Sequence, residues 1–373
     1  MQNQIENIYK PVVIFLCSIG MGISSEPERP WVKILRRILQ TSFCIPTLIT
    51  FINIVLEMIQ QPAISQTFVA GNLYFFIGVV FKVYFFMRKK RIQHLLKLVI
   101  EESSFIRQHQ RINSVKIRVY VSCIFLIVTE AVVLPNVIDR NTRGSCDERW
   151  FLKYAFSDHF STEIRNSICN AVSTLTCITI FFNGHVAICA FALFYIVLMW
   201  NIKQLLKQAI ASVKMSQVSF KNHVDHYDRI RCLLLYADGA FKELIFIITA
   251  FVSNNVYFVM FNVISFSQGN GFVSDKKAVG TSIYMVAVVF CLMYFMFRFA
   301  SDIQTLNSVF GSAILDVPEY KFPNVEKIVL FCKVQQGLHL TVGGMFNISK
   351  GLFLTIIGTI LTYCLLIRSL PIP

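Results

Sequence analysis

The chain has 373 residues, 55% of them hydrophobic and only 15% charged, with a mean hydropathy of +0.59. Soluble domains carry roughly 25% charge, so this balance excludes an ordinary soluble domain and reads as an integral membrane protein. The net charge of +14 then marks cytoplasmic loops rather than a nucleic-acid surface.

A spanning helix needs about 20 apolar residues. Seven segments qualify, at 39–59, 67–87, 117–137, 170–198, 243–265, 279–299 and 350–368. Ahead of them runs a shorter apolar stretch, Ile8 to Ile23, holding Pro11 and Gly20. Its start has one basic residue, Lys10, offset by Glu6, which disfavours a signal peptide. It reads as a short interfacial or re-entrant element. Roughly three quarters of the 35 Lys and Arg residues fall before the first span and in the second-to-third, fourth-to-fifth and sixth-to-seventh connections. That bias predicts a cytoplasmic N-terminus and an extracellular C-terminus. A G-protein-coupled receptor has the opposite orientation, and neither Asn-Pro-x-x-Tyr nor Asp-Arg-Tyr stands at its expected place.

Between the fourth and fifth spans, Ile202, Leu205, Leu206, Ile210 and Val213, then Ile230, Leu233, Leu234 and Ala237, recur at helical spacing. Both spans are expected to continue into the cytoplasm as amphipathic extensions. A further amphipathic helix is predicted over 324–349, after Pro323, with Val325, Ile328, Val329, Phe331 and Cys332 along it. Gly343-Gly344 and Asn347-Ile-Ser-Lys350 interrupt it before the final span. Its apolar face needs a partner, either the other extensions or a neighbouring subunit.

Little in the chain carries reaction chemistry. There is no Gly-rich phosphate loop, no His-Glu-x-x-His and no arrangement resembling a triad, so no enzyme is expected. Eleven cysteines include no Cys-x-x-Cys pair. Most, such as Cys123, Cys177, Cys189, Cys291 and Cys364, sit in apolar runs as small hydrophobes, so neither a disulfide framework nor a metal site is expected. Cys146 and Cys169 fall on the outer side, where a pairing stays open. The sequon Asn347-Ile-Ser349 falls on the inner side and should be unused.

The last span carries the distinctive pattern. Gly344-Met-Phe-Asn-Ile-Ser-Lys-Gly-Leu-Phe-Leu354, Gly358 and Thr362-Tyr363 resemble the C-terminal signature of the insect gustatory receptor family. The family's motif is Thr-Tyr, five mostly apolar residues, then Gln-Phe. Here Ser369-Leu370 replace Gln-Phe, and Arg368 is charged where the family is apolar. The opening Ile8-Tyr-Lys-Pro11 stretch and residues 299–316 also look like the family, and the resemblance covers essentially the whole chain.

The resemblance implies an all-α, seven-helix subunit of a tetrameric, ligand-gated, non-selective cation channel in the plasma membrane of sensory neurons. Its partners would be a small-molecule tastant, permeating cations, the lipid bilayer and three like or related subunits, with no nucleic acid and no cofactor. Four parts are expected: a cytoplasmic N-terminal segment at 1–38, a six-helix ligand-binding bundle at 39–323, a cytoplasmic anchor helix at 324–349 and a pore-lining helix at 350–373. Pore and gate positions would be Thr355, Thr359, Thr362, Leu366, Ser369 and Leu370. Small and polar residues at helical spacing suit a narrow water path closed by an apolar constriction, or simply close helix packing.

Ligand contacts are expected in the outer half of the bundle, where aromatic walls meet a few polar groups. Candidates are Asn72, Tyr74, Phe75 and Phe76 in the second span, and Thr129 and Glu130 in the third. Thr176, Thr179 and Phe182 follow in the fourth, Tyr257 and Asn262 in the fifth, and Ser282 and Tyr284 in the sixth. An ionisable Glu130 within a span costs at least ~2.5 kcal/mol if unpaired in lipid. It meets either a ligand amine or hydroxyl, or a structural hydrogen-bond partner. His185, mid-helix, reads as structural. An odorant-receptor-type subunit that requires a co-receptor is the alternative. A transporter fits less well, because no internal repeat is visible.

Overall fold

The computed structural model describes residues 2–18, 66–104, 109–142, 181–215, 220–267, 276–318, 324–337 and 339–369, with short pieces between them. Eight helices occupy these ranges: α1 (Gln2–Ser18), α2 (Gln66–Ser104), α3 (His109–Thr142), α4 (Ala187–Met215), α5 (Phe220–Ser267), α6 (Lys276–Leu315), α7 (Asn324–Gln335) and α8 (Lys350–Ser369). A π-turn, Phe182–Val186, leads into α4. The first predicted span, 39–59, lies almost wholly outside the described residues, as do Cys146 and Cys169.

Stretches within α4, α5 and α6 (Gly184–Val213, counting the π-turn, Asn222–Met260 and Gly280–Leu315) are long and apolar enough to cross a membrane. Shorter apolar stretches run over Val119–Pro135 and Lys350–Tyr363. The helices outrun the spans, as the amphipathic spacing predicts. α5 alone has 48 residues, about 72 Å at 1.5 Å per residue.

α4 is the central element. It is buried on nearly every side, with α1, α2, α5 and α6 packed around it. A helix apolar all round is stable only when surrounded. Aromatic rings lock it to its neighbours. Phe191 meets Phe81 of α2 at 5.5 Å and Phe241 of α5 at 5.7 Å, and Tyr195 meets Phe241 at 5.4 Å. α3 is different. Cys123, Leu126, Glu130 and Val133 are buried, whereas Val121, Ile124, Phe125 and Val128 are exposed. That division follows the helical period and leaves an apolar outer face of the kind lipid covers.

One expectation needs correction. The segment 324–349 is not one helix. α7 stops at Gln335, and Gly337 follows in the left-handed conformation (φ 76°) that ends helices. A small antiparallel hairpin comes next, β1 (Thr341–Val342) with β2 (Phe346–Asn347), paired Thr341 to Asn347 and Val342 to Phe346. Its turn needs Gly343 (φ 63°) and Gly344 (φ 75°), a conformation that side chains with a Cβ rarely adopt. The chain is therefore nearly, not wholly, α. At the N-terminus, α1 runs unbroken through Pro11 as far as Ser18. Tyr9, Val12, Phe15 and Leu16 are buried in the common core, and Asn201 of α4 donates to the Tyr9 hydroxyl.

Polar ties concentrate beyond the predicted inner ends of the spans. Lys203 pairs with Asp302 at 2.6 Å, Arg88 with Glu243 at 2.7 Å and Lys333 with Asp228 at 2.6 Å. Tyr227 stacks flat on Phe310 at 4.8 Å and donates to Asn307, whose amide donates to the Val334 carbonyl. α5, α6 and α7 are thereby joined. The hairpin is pinned to α5 as well. The Thr341 amide and hydroxyl both donate to Asp238, at 2.6 and 2.8 Å, and the Gly343 amide donates to the Lys242 carbonyl.

Removing one acceptor from a part-buried pair of charge-assisted bonds costs about 1–3 kcal/mol. Asp238→Ala should therefore lower the melting midpoint of the purified chain by several degrees, measured by thermal unfolding in detergent. Glu102 supplies a pH test. Burial works to raise its pKa, but a hydrogen bond with His226 and the Arg229 charge outweigh burial and hold it below the usual value. A depressed carboxylate stabilises the fold above its unfolded pKa and loses that effect as pH falls through the folded one. Glu102→Gln should thus be less stable than the parent at neutral pH, and the gap should close as pH falls below about 4.

Candidate functional site

Two features stand out, one inside the bundle and one against the last helix. The inner feature begins with the buried stripe of α3. That stripe aims Glu130 at the π-turn, where His185 sits. Glu130 Oε1 lies 3.0 Å from His185 Nε2, and Cys189 Sγ lies 3.8 Å from the same nitrogen. Phe181 stacks on the imidazole at 5.7 Å and 23°. His185 and Cys189 are fully enclosed and Glu130 is 9% exposed. Among the described residues, Glu130 Oε2 has no hydrogen-bond partner. The sequence treats these three residues separately. The available signal was the period of α3, which puts Glu130 on the core side, and the four-residue spacing of His185 and Cys189.

The outer feature is a groove of about 470 Å³ between α5, the hairpin and α8. Phe246, Thr249, Ser253 and Tyr257 form one wall, and Leu352, Thr355, Ile356, Thr359, Ile360 and Tyr363 the other. Four Ser and Thr residues line it, yet its surface is apolar. Each hydroxyl donates back to a carbonyl four residues earlier on its own helix: Thr249 to Ile245, Ser253 to Thr249, Thr355 to Gly351 and Thr359 to Thr355. Back-bonding of this kind hides the oxygen and presents the methyl or methylene.

Among the described residues, the expected ligand positions are spread over α2, α3, the π-turn, α5 and α6. Phe75 is buried against Phe76 at 5.8 Å, and Phe76 meets Phe51 at 5.8 Å. Phe182 packs on Phe181, beside His185. Thr129 donates to the carbonyls of Phe125 and Leu126 on its own helix. Tyr284 has a buried hydroxyl with no partner among the described residues, and Ser282 is half-buried on the same helix. Tyr257 belongs to the groove, against Thr355 and Thr359. Asn72 and Tyr74 lie on α2 and Asn262 on α5, by backbone only, and Thr176 and Thr179 lie outside the described residues.

On α8, the hydroxyl of Thr362 donates to Gly358, as its two predecessors do to theirs. At 100° per residue, Thr355, Thr359, Thr362 and Leu366 fall within about 60° of one another. All four are exposed. Ser369 closes the helix by backbone only, and Leu370 lies outside the described residues. The inner part of α8 is held by Phe353, which meets Phe290 at 5.1 Å and Tyr294 at 5.5 Å on α6.

No family model and no curated protein sequence matches the chain. Solved structures do. The architecture is a nearly all-helical bundle with several long apolar helices. It resembles the insect olfactory receptor OR5 from Machilis hrabei in complex with eugenol, with a TM-score of 0.71 and 14% identity over 98% of both chains. It also resembles a second structure of that receptor, with a TM-score of 0.65 and 13% identity over 96% of this chain and 97% of that one. At this identity the likeness establishes the fold, and this chain has the fold of the solved insect olfactory receptors. Both matched structures are of receptors, not enzymes.

Proposed function

We propose that the chain is a subunit of a ligand-gated, non-selective cation channel of the insect gustatory type, opened by a small-molecule tastant. The observation that carries this is the full-length likeness to an insect olfactory receptor, joined to the Thr362-Tyr363 signature. One of the matched structures holds the small aromatic compound eugenol, which supports a small organic ligand here.

In this reading seven spans place the N-terminus in the cytoplasm and the C-terminus outside. Phe75, Phe76, Phe182, Ser282 and Tyr284 contribute to the ligand pocket. Four copies of α8 surround the pore, lined by Thr355, Thr359 and Thr362 and constricted at Leu366, with Ser369 and Leu370 at the mouth. Two exposed apolar surfaces support the tetramer. On α7, Val325, Ile328 and Val329 are 74%, 56% and 63% exposed. On α8, Leu361, Tyr363, Leu365 and Leu366 are exposed too. Neighbouring subunits would cover both. An odorant-type subunit that conducts only with a co-receptor is the second reading, favoured by the matched structures being olfactory receptors.

The test is whole-cell current from cells expressing this chain alone, perfused with sugars, alkaloids and volatiles. A fast non-selective cation current that survives G-protein blockade is expected. Silence at confirmed surface expression, with current restored by a co-receptor, would replace the first reading with the second. Leu366→Ala should raise basal current several-fold by widening the apolar constriction; an unchanged basal current would remove Leu366 from the gate.

A further inference from the structure

We propose that Glu130, His185 and Cys189 form a binding site for a zinc-like transition-metal dication inside the helix bundle. One ligand atom from each lies within 4.8 Å of the others, with separations of 3.0 Å for Oε1 to Nε2 and 3.8 Å for Sγ to Nε2. Ligands at ~2.0–2.3 Å from a shared tetrahedral ion are about 3.3–3.7 Å apart. The two separations to Nε2 differ from that range by a few tenths of an ångström, and the third, within 4.8 Å, closes by about 1 Å at most when the side chains turn towards a shared ion.

A hydrogen bond between Glu130 and His185 accounts for Oε1 and Nε2. It leaves the buried Oε2 without a partner among the described residues and gives no reason for the cysteine sulfur to close on the same nitrogen. A metal ion accounts for both. The second carboxylate oxygen either joins the ion or holds a water in the fourth position. Charge supports the same answer. A dication with one carboxylate, one thiolate and a neutral imidazole sums to zero, which minimises the cost of burial. The mixed oxygen, nitrogen and sulfur set suits zinc-like ions, and hard cations such as calcium prefer oxygen alone.

The local backbone is unusual at the same place. The Ala187 amide donates to the Phe182 carbonyl five residues back, so the helix is widened by a π-turn. Such turns recur at functional sites. This one carries His185, with Cys189 one turn further along and Phe181 stacked on the ring. The site stands independently of the channel reading, and it gives Glu130 a role other than contact with a tastant.

The experiment uses the full chain, purified in detergent, stripped with a chelator, kept under reducing agent and titrated with Co²⁺. One equivalent per chain should bind and produce a near-ultraviolet thiolate-to-cobalt charge-transfer band, and Zn²⁺ should displace it. Cys189→Ser should abolish the band, whereas Cys232→Ser, at an exposed position on α5, should keep it. Glu130→Gln leaves the thiol in place and should weaken Co²⁺ binding by about tenfold or more. Absence of saturable binding by the parent chain would overturn the proposal without any variant. So would a band that persists in Cys189→Ser, or an affinity unchanged in Glu130→Gln.

Discussion

α4 presents apolar side chains in every direction, and that single fact dictates the arrangement of the other helices. Water cannot cover it, so α1, α2, α5 and α6 must. Phe81, Phe85, Phe191, Phe194 and Phe241 fill the joints around it. Their rings meet mostly edge to face, the geometry their quadrupoles favour. With the centre occupied by a packed helix, any ligand pocket or ion path must lie off that axis. α8 packs at the edge of this arrangement, against α5 and α6.

Specific polar contacts are distributed unevenly along the molecule. One region holds the ion pairs Lys203–Asp302, Arg88–Glu243 and Lys333–Asp228, the stacked Tyr227 and Phe310, and the hairpin held by Asp238. α8 is fixed there through Phe353 and the hairpin. Beyond Ile357 its described side chains are exposed or line the groove. The first turns of the last helix are thus more tightly packed than the described residues that follow them.

Much of this fold was legible from apolar run length and period. The extension of the fourth and fifth spans followed from Ile202 to Val213 and from Ile230 to Ala237, because a 3.6-residue period identifies a helix regardless of what covers it. The hairpin was not legible. Leu340 to Asn347 is too short to show a strand period, and the preceding amphipathic pattern carried the helical expectation past Gly337. The two glycines at 343 and 344 were noticed as an interruption, but a turn between two-residue strands needs the Asp238 clamp to be recognised. The Glu130–His185–Cys189 cluster was hidden for another reason. It joins Glu130 to residues 55 or more positions away through a π-turn, and a π-turn alters the register that helical spacing assumes.

The length of α5 has a mechanical consequence. Tyr257 faces the groove near one end, while Asp228 and Asp238 hold α7 and the hairpin towards the other, all on one uninterrupted helix. About 44 Å separates residues 228 and 257 at 1.5 Å per residue. A rigid rod of that length amplifies angle into distance. A tilt of about 3° moves one end by roughly 2 Å relative to the other, comparable to the 1–2 Å helix shifts seen in switching proteins. A tilt of α5 set at the Tyr257 end would therefore displace the Asp228 end far enough to break a hydrogen bond.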